Sequence, residues 1–428
     1  MCDRSIKGFI RRKVHKDMIS FPLYLVFTVS YFLHLTSRVP LLGSVRIDLA
    51  LMAAISLFLV MEGRKGESKF IMSPTTKALL VLIGYIILSI PLVNWPGSVI
   101  RFGIENYLKV VPFYFFTILT IRATARLKVF IWVFLLCQTF RVLEPFYLNL
   151  TEGYLGDVAY SISEAGLGSL GRLRSAPHDV LNATQFAWII NIALIFLYYC
   201  VWEAGGIKRL FFLLVAPLGI WTMLLTGARS GLLSLFITII GVVLFGRSRA
   251  KRIIVAALVL VPVFFFTAEQ LSPELTKRYM SIYADVEGHG TAVGRIEGMK
   301  KNLKTLGDST IFGHGLGTSL ETNYNLIGGK QQVTHNLYIE ILQELGIIGF
   351  VLFFVYVYFI IVSAIRARRM LAASLPESPW IRSLSTALVV WAIMHLFYSV
   401  SCFGLNSWEW YFFGGLSTVC VRFAKPKD

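Results

Sequence analysis

Charge is scarce in this chain. Only 15% of its 428 residues are Asp, Glu, Lys or Arg, against about a quarter in soluble domains, while 56% are hydrophobic and the mean hydropathy is +0.68. An ordinary soluble protein is excluded, and a bilayer is the solvent that such a composition requires. Acidic residues are scarcer than basic ones, 24 against 41, for a formal charge of +17. In a soluble protein that excess would suggest nucleic acid, but membrane proteins gather Lys and Arg in cytoplasmic loops, and most of the basic residues here fall where alternating spans would place such loops. No nucleic-acid partner is expected. Cysteine is sparse too: Cys2, Cys137, Cys200, Cys402 and Cys420 make no CxxC pair, and all but Cys2 lie in or beside apolar runs. Neither a disulfide framework nor a thiolate metal site is indicated. The seven histidines form no HExxH, and GxSxG is absent, so a metalloenzyme and a serine hydrolase lack support. The sequence calls for no metal and no cofactor.

What is present is a series of apolar runs, each near the length of about 20 residues that a spanning helix needs. Twelve are counted, at 18–36, 46–61, 77–94, 104–121, 128–148, 180–202, 209–226, 229–246, 252–268, 336–363, 382–400 and 408–423. The expected fold is an all-α polytopic membrane protein forming a single integral-membrane domain over 1–428. The basic stretch MCDRSIKGFIRRKVHK precedes a run without a small-residue cleavage site, so an uncleaved first helix with a cytoplasmic N-terminus is expected. Charge alternation then puts two long segments outside, 149–179 and 269–335, and function is sought there.

In the second segment, SPEL at Ser272 to Leu275 reads as a helix start, continuing to about Tyr283. TAVGRIEGMKKNLKTLG reads as another helix, with Ile296, Met299, Leu303 and Leu306 on one face, Lys301 and Lys304 opposite, and Gly307 as terminator. IFGHGLGTS has neither a preceding strand nor GK[ST], so a backbone bend suits it better than a phosphate loop.

Three residues stand out. Arg229, in LLTGARSGLL, interrupts two apolar runs at an outward corner; singly, it serves as well for a cation reaching headgroups as for a functional group. Arg295 alone is an ordinary cation of a solvated helix, and His335 alone is better explained as a helix cap or a hydrogen-bonded structural residue. Glu340 and Glu344 lie one turn apart within a span; they can orient His335 or bind an acceptor sugar, although pairing with a cation on a neighbouring helix is the stronger account. Arg172 and Arg174 in the first outer segment are candidates to meet a donor diphosphate, with ordinary loop cations the stronger account, and His178 is equally open.

Taken in order, these segments resemble the O-antigen ligase and O-antigen polymerase superfamily. The resemblance rests on ARSGLL, GRIEGMKKNL and GHGLG, then His335-Asn336, nine residues, and Gly346-Ile347-Ile348-Gly349; the first half contributes hydropathy and RLRSAPHDVLNATQFA. Met299 departs from the aromatic residue common in relatives. The resemblance implies a GT-C-like, metal-independent, inverting glycosyltransferase in a bacterial inner membrane, with its active site facing the periplasm. It would take a glycan from an undecaprenyl-diphosphate donor to a sugar hydroxyl on a lipid carrier or on lipid A-core, among membrane lipids. It further implies Arg229 and Arg295 on the leaving diphosphate and His335 as general base. ARSGLL and GHGLG lean towards a polymerase; a ligase is the alternative. A lipid-linked oligosaccharide flippase would show charges along the middle of several helices and matched interrupted helices, and neither pattern is evident in the sequence.

Overall fold

The structure, a computed structural model, describes residues 19–62, 72–156, 171–179, 181–245, 273–280, 291–328, 335–370, 379–402 and 404–424. Among these residues every regular element is helical, the solution that satisfies backbone polar groups without water. The principal helices are α1 (Ser20–Leu33), α2 (Ile47–Met61), α3 (Pro74–Ser89), α4 (Ile104–Val110), α5 (Pro112–Thr120), α6 (Thr124–Glu152), α7 (Ala183–Leu197), α8 (Lys208–Leu225), α9 (Arg229–Phe245), α10 (Pro273–Met280), α11 (Thr291–Lys304), α12 (Ser319–Ile327), α13 (Leu337–Met370), α14 (Pro379–Tyr398) and α15 (Trp408–Ala424).

Among the described residues, six helical stretches are long and apolar enough to cross a membrane: Pro74–Leu92, Thr124–Glu152, Ala183–Trp202, Lys208–Leu225, Leu337–Met370 and Pro379–Tyr398, while α1, α2 and α9 are shorter apolar helices. The chain is an all-α, multi-pass membrane protein. Of the twelve expected spans, the third, fifth, sixth, seventh, tenth and eleventh correspond to these six stretches, and the first, second and eighth to the shorter helices. The fourth is divided between α4 and α5 at Pro112, where a ring without an N–H cannot donate back along the helix. The ninth, 252–268, lies outside the described residues. The helix expected from SPEL is present over Pro273–Met280, and its expected continuation to Tyr283 lies outside the described residues.

Local sequence sets the helix starts. Ser73 accepts from the Thr76 amide ahead of Pro74 in α3, and Asn182 with Gln185 forms a capping box at α7. Packing then does what the hydrophobic effect cannot do within a bilayer. Helix α15 passes between α5 and α13 because Gly414 and Gly415 present no side chain: a Cβ on Gly414 would lie 2.5 Å from the Tyr356 hydroxyl, and one on Gly415 would lie 3.0 Å from the Tyr114 carbonyl. Around Trp408, rings from Phe32, Phe134 and Phe412 close at centroid distances of 4.6, 6.1 and 5.4 Å.

The bundle has two distinct ends. At one, cations meet the last carbonyls of helices: Arg422 donates to Ile118 and Ile121, and Arg368 to Phe245, the favourable side of the helix dipole. At the other end, the starts of α7, α9, α13 and α15 and the ends of α8 and α14 are gathered by polar contacts. The residues singled out in the sequence lie at this second end.

Candidate active site

The corner between α8 and α9 is tight. Gly227 takes φ 58°, the Thr226 hydroxyl accepts from the Ala228 amide at 3.2 Å, and Arg229 is the first residue of α9, half-buried. A cation at a helix start is on the wrong side of the dipole for stability, because the exposed amides there already carry partial positive charge. Together they make a local positive field suited to an anion. The corner is braced by Arg172, whose Nε donates to the Thr226 carbonyl at 2.8 Å and whose second guanidinium nitrogen reaches the Thr184 hydroxyl at 3.4 Å. Tyr279 of α10 donates to the Leu224 carbonyl at 3.0 Å.

His335 stands just ahead of α13, half-buried. The cap of that helix is Asn336, whose side-chain oxygen accepts from the Ile339 amide at 3.1 Å. Capping therefore does not account for the imidazole. Asn336 also donates to the Val400 carbonyl at 3.0 Å and meets the Met299 sulfur at 3.8 Å. That last contact fixes α11 beside His335, and Arg295 occupies the position one turn before Met299 on α11.

Polar contacts connect the two regions. Thr226 bonds Arg172, Arg172 reaches Thr184, and the Thr184 carbonyl accepts from the Tyr398 hydroxyl at 2.7 Å. The carbonyl of the next residue, Ser399, accepts from the Leu337 amide at 2.9 Å. The segments bearing Arg229, Arg172, Arg295 and His335 thus converge on one end of the bundle. Arg174 lies in the same segment as Arg172, its amide bonded to the Leu155 carbonyl at 2.9 Å.

The two glutamates do different work from the expected ion pair. Glu340 accepts from the amides of Gly404 and Leu405 at 2.7 and 3.3 Å, and Glu344 from those of Gly317 and Ser319 at 2.8 and 3.3 Å. Both carboxylates are buried and hold loops, one between α14 and α15, the other at the start of α12.

The glycine-rich stretch and the Gly346 motif are halves of one device. At Gly346, φ 65° and ψ −169° interrupt α13. An interruption there strands the Gln343 and Glu344 carbonyls and the Ile347 and Ile348 amides. The passing segment satisfies all four: His314 and Gly315 amides donate to Gln343 and Glu344 at 2.8 and 2.9 Å, and Ile347 and Ile348 donate to Thr310 and Ile311 at 2.9 and 3.5 Å. The bend expected of GHGLG is observed, with φ of 75° at Gly313 and 122° at Gly315. His314 is part of this scaffold. Its Nε2 meets the Thr305 carbonyl at 2.7 Å and so donates, leaving Nδ1 to accept from the Asn94 amide at 2.9 Å. Burial, only partly opposed by the Thr305 carbonyl, lowers its pKa and keeps the ring neutral.

Sequence reasoning missed a charged cluster where residues 171–179 meet α6. Arg141 of α6 donates to Asp179 from Nε and a terminal nitrogen at 2.9 and 2.6 Å, and His34 Nε2 lies 3.0 Å from the other Asp179 oxygen. An Arg inside the apolar run CQTFRVLEPFY was the available signal; its partner, 38 residues away, had none. Burial works against the Asp179 carboxylate, but Arg141 and His34 outweigh it and hold its pKa below the ordinary value. A carboxylate shifted this way stabilises the fold above its ordinary range, and the contribution is lost as pH falls through the lowered value. Arg141→Met should leave the buried Asp179 carboxylate without its guanidinium partner, with His34 alone beside it, at a cost of up to about 3–5 kcal/mol, and Arg141→Met with Asp179→Asn should recover most of it. Thermal unfolding in detergent checks both; equal losses in the single and double variants would remove the pair from the account.

The α11 face requires correction. Met299 and Leu306 are half-buried as expected, but the buried positions beside them are Asn302 and Thr305, whereas Ile296 and Leu303 are exposed. Hydrogen bonding explains the turn of the helix: Thr305 accepts from Gln343 at 3.0 Å, so a polar edge is drawn towards α13. Among the described residues no group of three or more His, Cys, Asp or Glu is placed to hold a metal ion.

A polytopic helical membrane protein with a cationic, histidine-bearing end is the class these features define. Residues 210–354 match the family model described as O-antigen ligase, so over that stretch the chain is similar to the O-antigen ligase and polymerase superfamily. The matched stretch includes Arg229, Arg295, His335 and Glu340, and ends before α14; Arg172 and Arg174 lie outside it. No curated protein matches the chain.

Proposed function

We propose that this protein is a metal-independent, inverting glycosyltransferase that moves a glycan from an undecaprenyl-diphosphate carrier to an acceptor sugar hydroxyl at the periplasmic face of a bacterial inner membrane. The observation that carries the reading is the convergence of the Arg229, Arg295 and His335 segments, all within the family match, on one end of the bundle. The acceptor oxygen forms a bond to the donor sugar C1, the bond from C1 to the diphosphate breaks, and the hydroxyl proton passes to His335. Charge grows on the departing diphosphate, where fixed guanidinium groups are most effective. Arg229 and Arg295 are assigned to it, with Arg172 and Arg174 nearer the donor's remaining phosphate or sugar, while Glu340, expected at the acceptor, is engaged with the Gly404 and Leu405 amides.

Between the two acceptor classes, a polymerase that extends a lipid-linked repeat unit is preferred. The ligase reading, with lipid A-core as acceptor, draws on the description of the matched family. Purified protein given defined lipid-linked repeat units, with and without lipid A-core, tests both: longer carrier-linked chains support the polymerase, and product only on lipid A-core supports the ligase. In the same assay Arg229→Lys and Arg295→Lys keep the charge but lose the planar fork, so turnover should fall by about 10-fold or more. Normal turnover of an Ala variant at wild-type abundance would strike that arginine from the mechanism. EDTA should change little; a strict need for a divalent cation would overturn the metal-independent reading.

A further inference from the structure

The correction to α11 leaves an unexplained surface. Ile296 and Leu303 are 54% and 44% exposed, with exposed Lys300 beside them and exposed Lys304 at the margin of that face. On the adjoining α12, Tyr324 is 52% exposed, and Ile311, between the two helices, is exposed as well. Apolar side chains ringed by lysines are the pattern of a helix in a headgroup layer, where the apolar part enters the acyl boundary and the ammonium groups stay with phosphates.

Position supports this occupant over a soluble one. Helices α11 and α12 are fastened to the first turns of a spanning helix: Asn336 meets Met299, and Gln343 donates to Thr305 and to Asn323, the latter at 2.8 Å. They therefore lie beside the end of α13, at the height where hydrocarbon gives way to headgroups. The apolar surface is also continuous with the span's own outward face, because Ile311 pairs through its backbone with Ile348, next to exposed Ile347 and Val351. Charge agrees, since α11 carries Arg295, Lys300, Lys301 and Lys304 against Glu297 alone.

We infer that α11 and α12 dock on the anionic phospholipid surface of the leaflet at this end, with Ile296, Leu303, Ile311 and Tyr324 in its acyl boundary and Lys300 and Lys304 on its phosphates. The inference is independent of the transfer chemistry. Docking would fix the height of α11 relative to the bilayer.

The test places a benzophenone amino acid at Leu303 or, separately, at Tyr324 of the full-length protein in nanodiscs of phosphatidylethanolamine and phosphatidylglycerol. Irradiation should give lipid adducts from both positions, enriched in phosphatidylglycerol. Combining each with Lys300→Gln and Lys304→Gln should lower that enrichment by at least about fivefold, the effect expected of one juxtamembrane cation, and by more where both lysines reach the phosphates. Both probe positions are exposed, so folding is preserved, and an unchanged unfolding midpoint verifies it. Adducts to a second copy, or to another segment of this chain, would show that protein covers the face and overturn the inference. So would an absence of adducts, or enrichment indifferent to the lysines.

Discussion

His335→Gln is expected to give a folded protein whose single-turnover transfer is slower by about 10²- to 10⁴-fold, the usual cost of losing a general base. Folding should survive because Asn336, not His335, caps α13 and ties it to the α14–α15 loop and to α11. Gln keeps hydrogen bonding but cannot take up a proton near neutral pH, which is the property that separates the two explanations of this residue. Wild type should lose activity on acidification through an imidazole-like pKa, and the variant's residual rate should lack that limb. Near wild-type transfer by the variant would make His335 structural, and a shared acidic limb would assign the base elsewhere.

Gly346→Ala is expected to be the most damaging of the glycine substitutions. Its φ of 65° already disfavours an L residue by about 1–2 kcal/mol, and a Cβ there would lie 2.2 Å from the Ile311 carbonyl oxygen and 2.6 Å from the Gly313 nitrogen. Both are backbone atoms that cannot step aside without breaking the pairing of 310–315 with α13. Gly153 supplies the control, since its φ is 67° and nothing lies within 4 Å of the added carbon. Gly153→Ala should show the backbone cost alone, and Gly346→Ala several times more in thermal unfolding or outright loss of folded protein. Equal losses at the two positions would mean that the close approach of the two segments is wrong.

How much of this was visible in the sequence depends on how local the cause is. The helical class and the bend in GHGLG were legible, because hydropathy and glycine spacing act over a few positions. The pairing that makes GHGLG and Gly346 one device was not, since it depends on backbone amides about 30 residues apart and any side chains would have served. The same holds for Glu340 and Glu344: a cation partner can be sought in a sequence, but the amides of Gly404 and Gly317 carry no signature. For α11 the helix and its period were correct and its orientation was not. A stripe of apolar residues says which positions share a face; it does not say whether protein or lipid meets that face.

The interruption of α13 also fixes where this region can change size. Residues 310–315 and 343–348 are bonded to one another, and Leu337 is bonded to Ser399, so the chain between Gly317 and His335 leaves and returns to the same scaffold. With stationary ends, the entropy of closing a flexible insertion between them rises only as the logarithm of its length, by about 0.6 kcal/mol per doubling. An insertion between Gly328 and His335 therefore costs little and leaves the histidine and the glycines in register, whereas α12, held to α13 through Ser319 and Asn323, offers no such latitude.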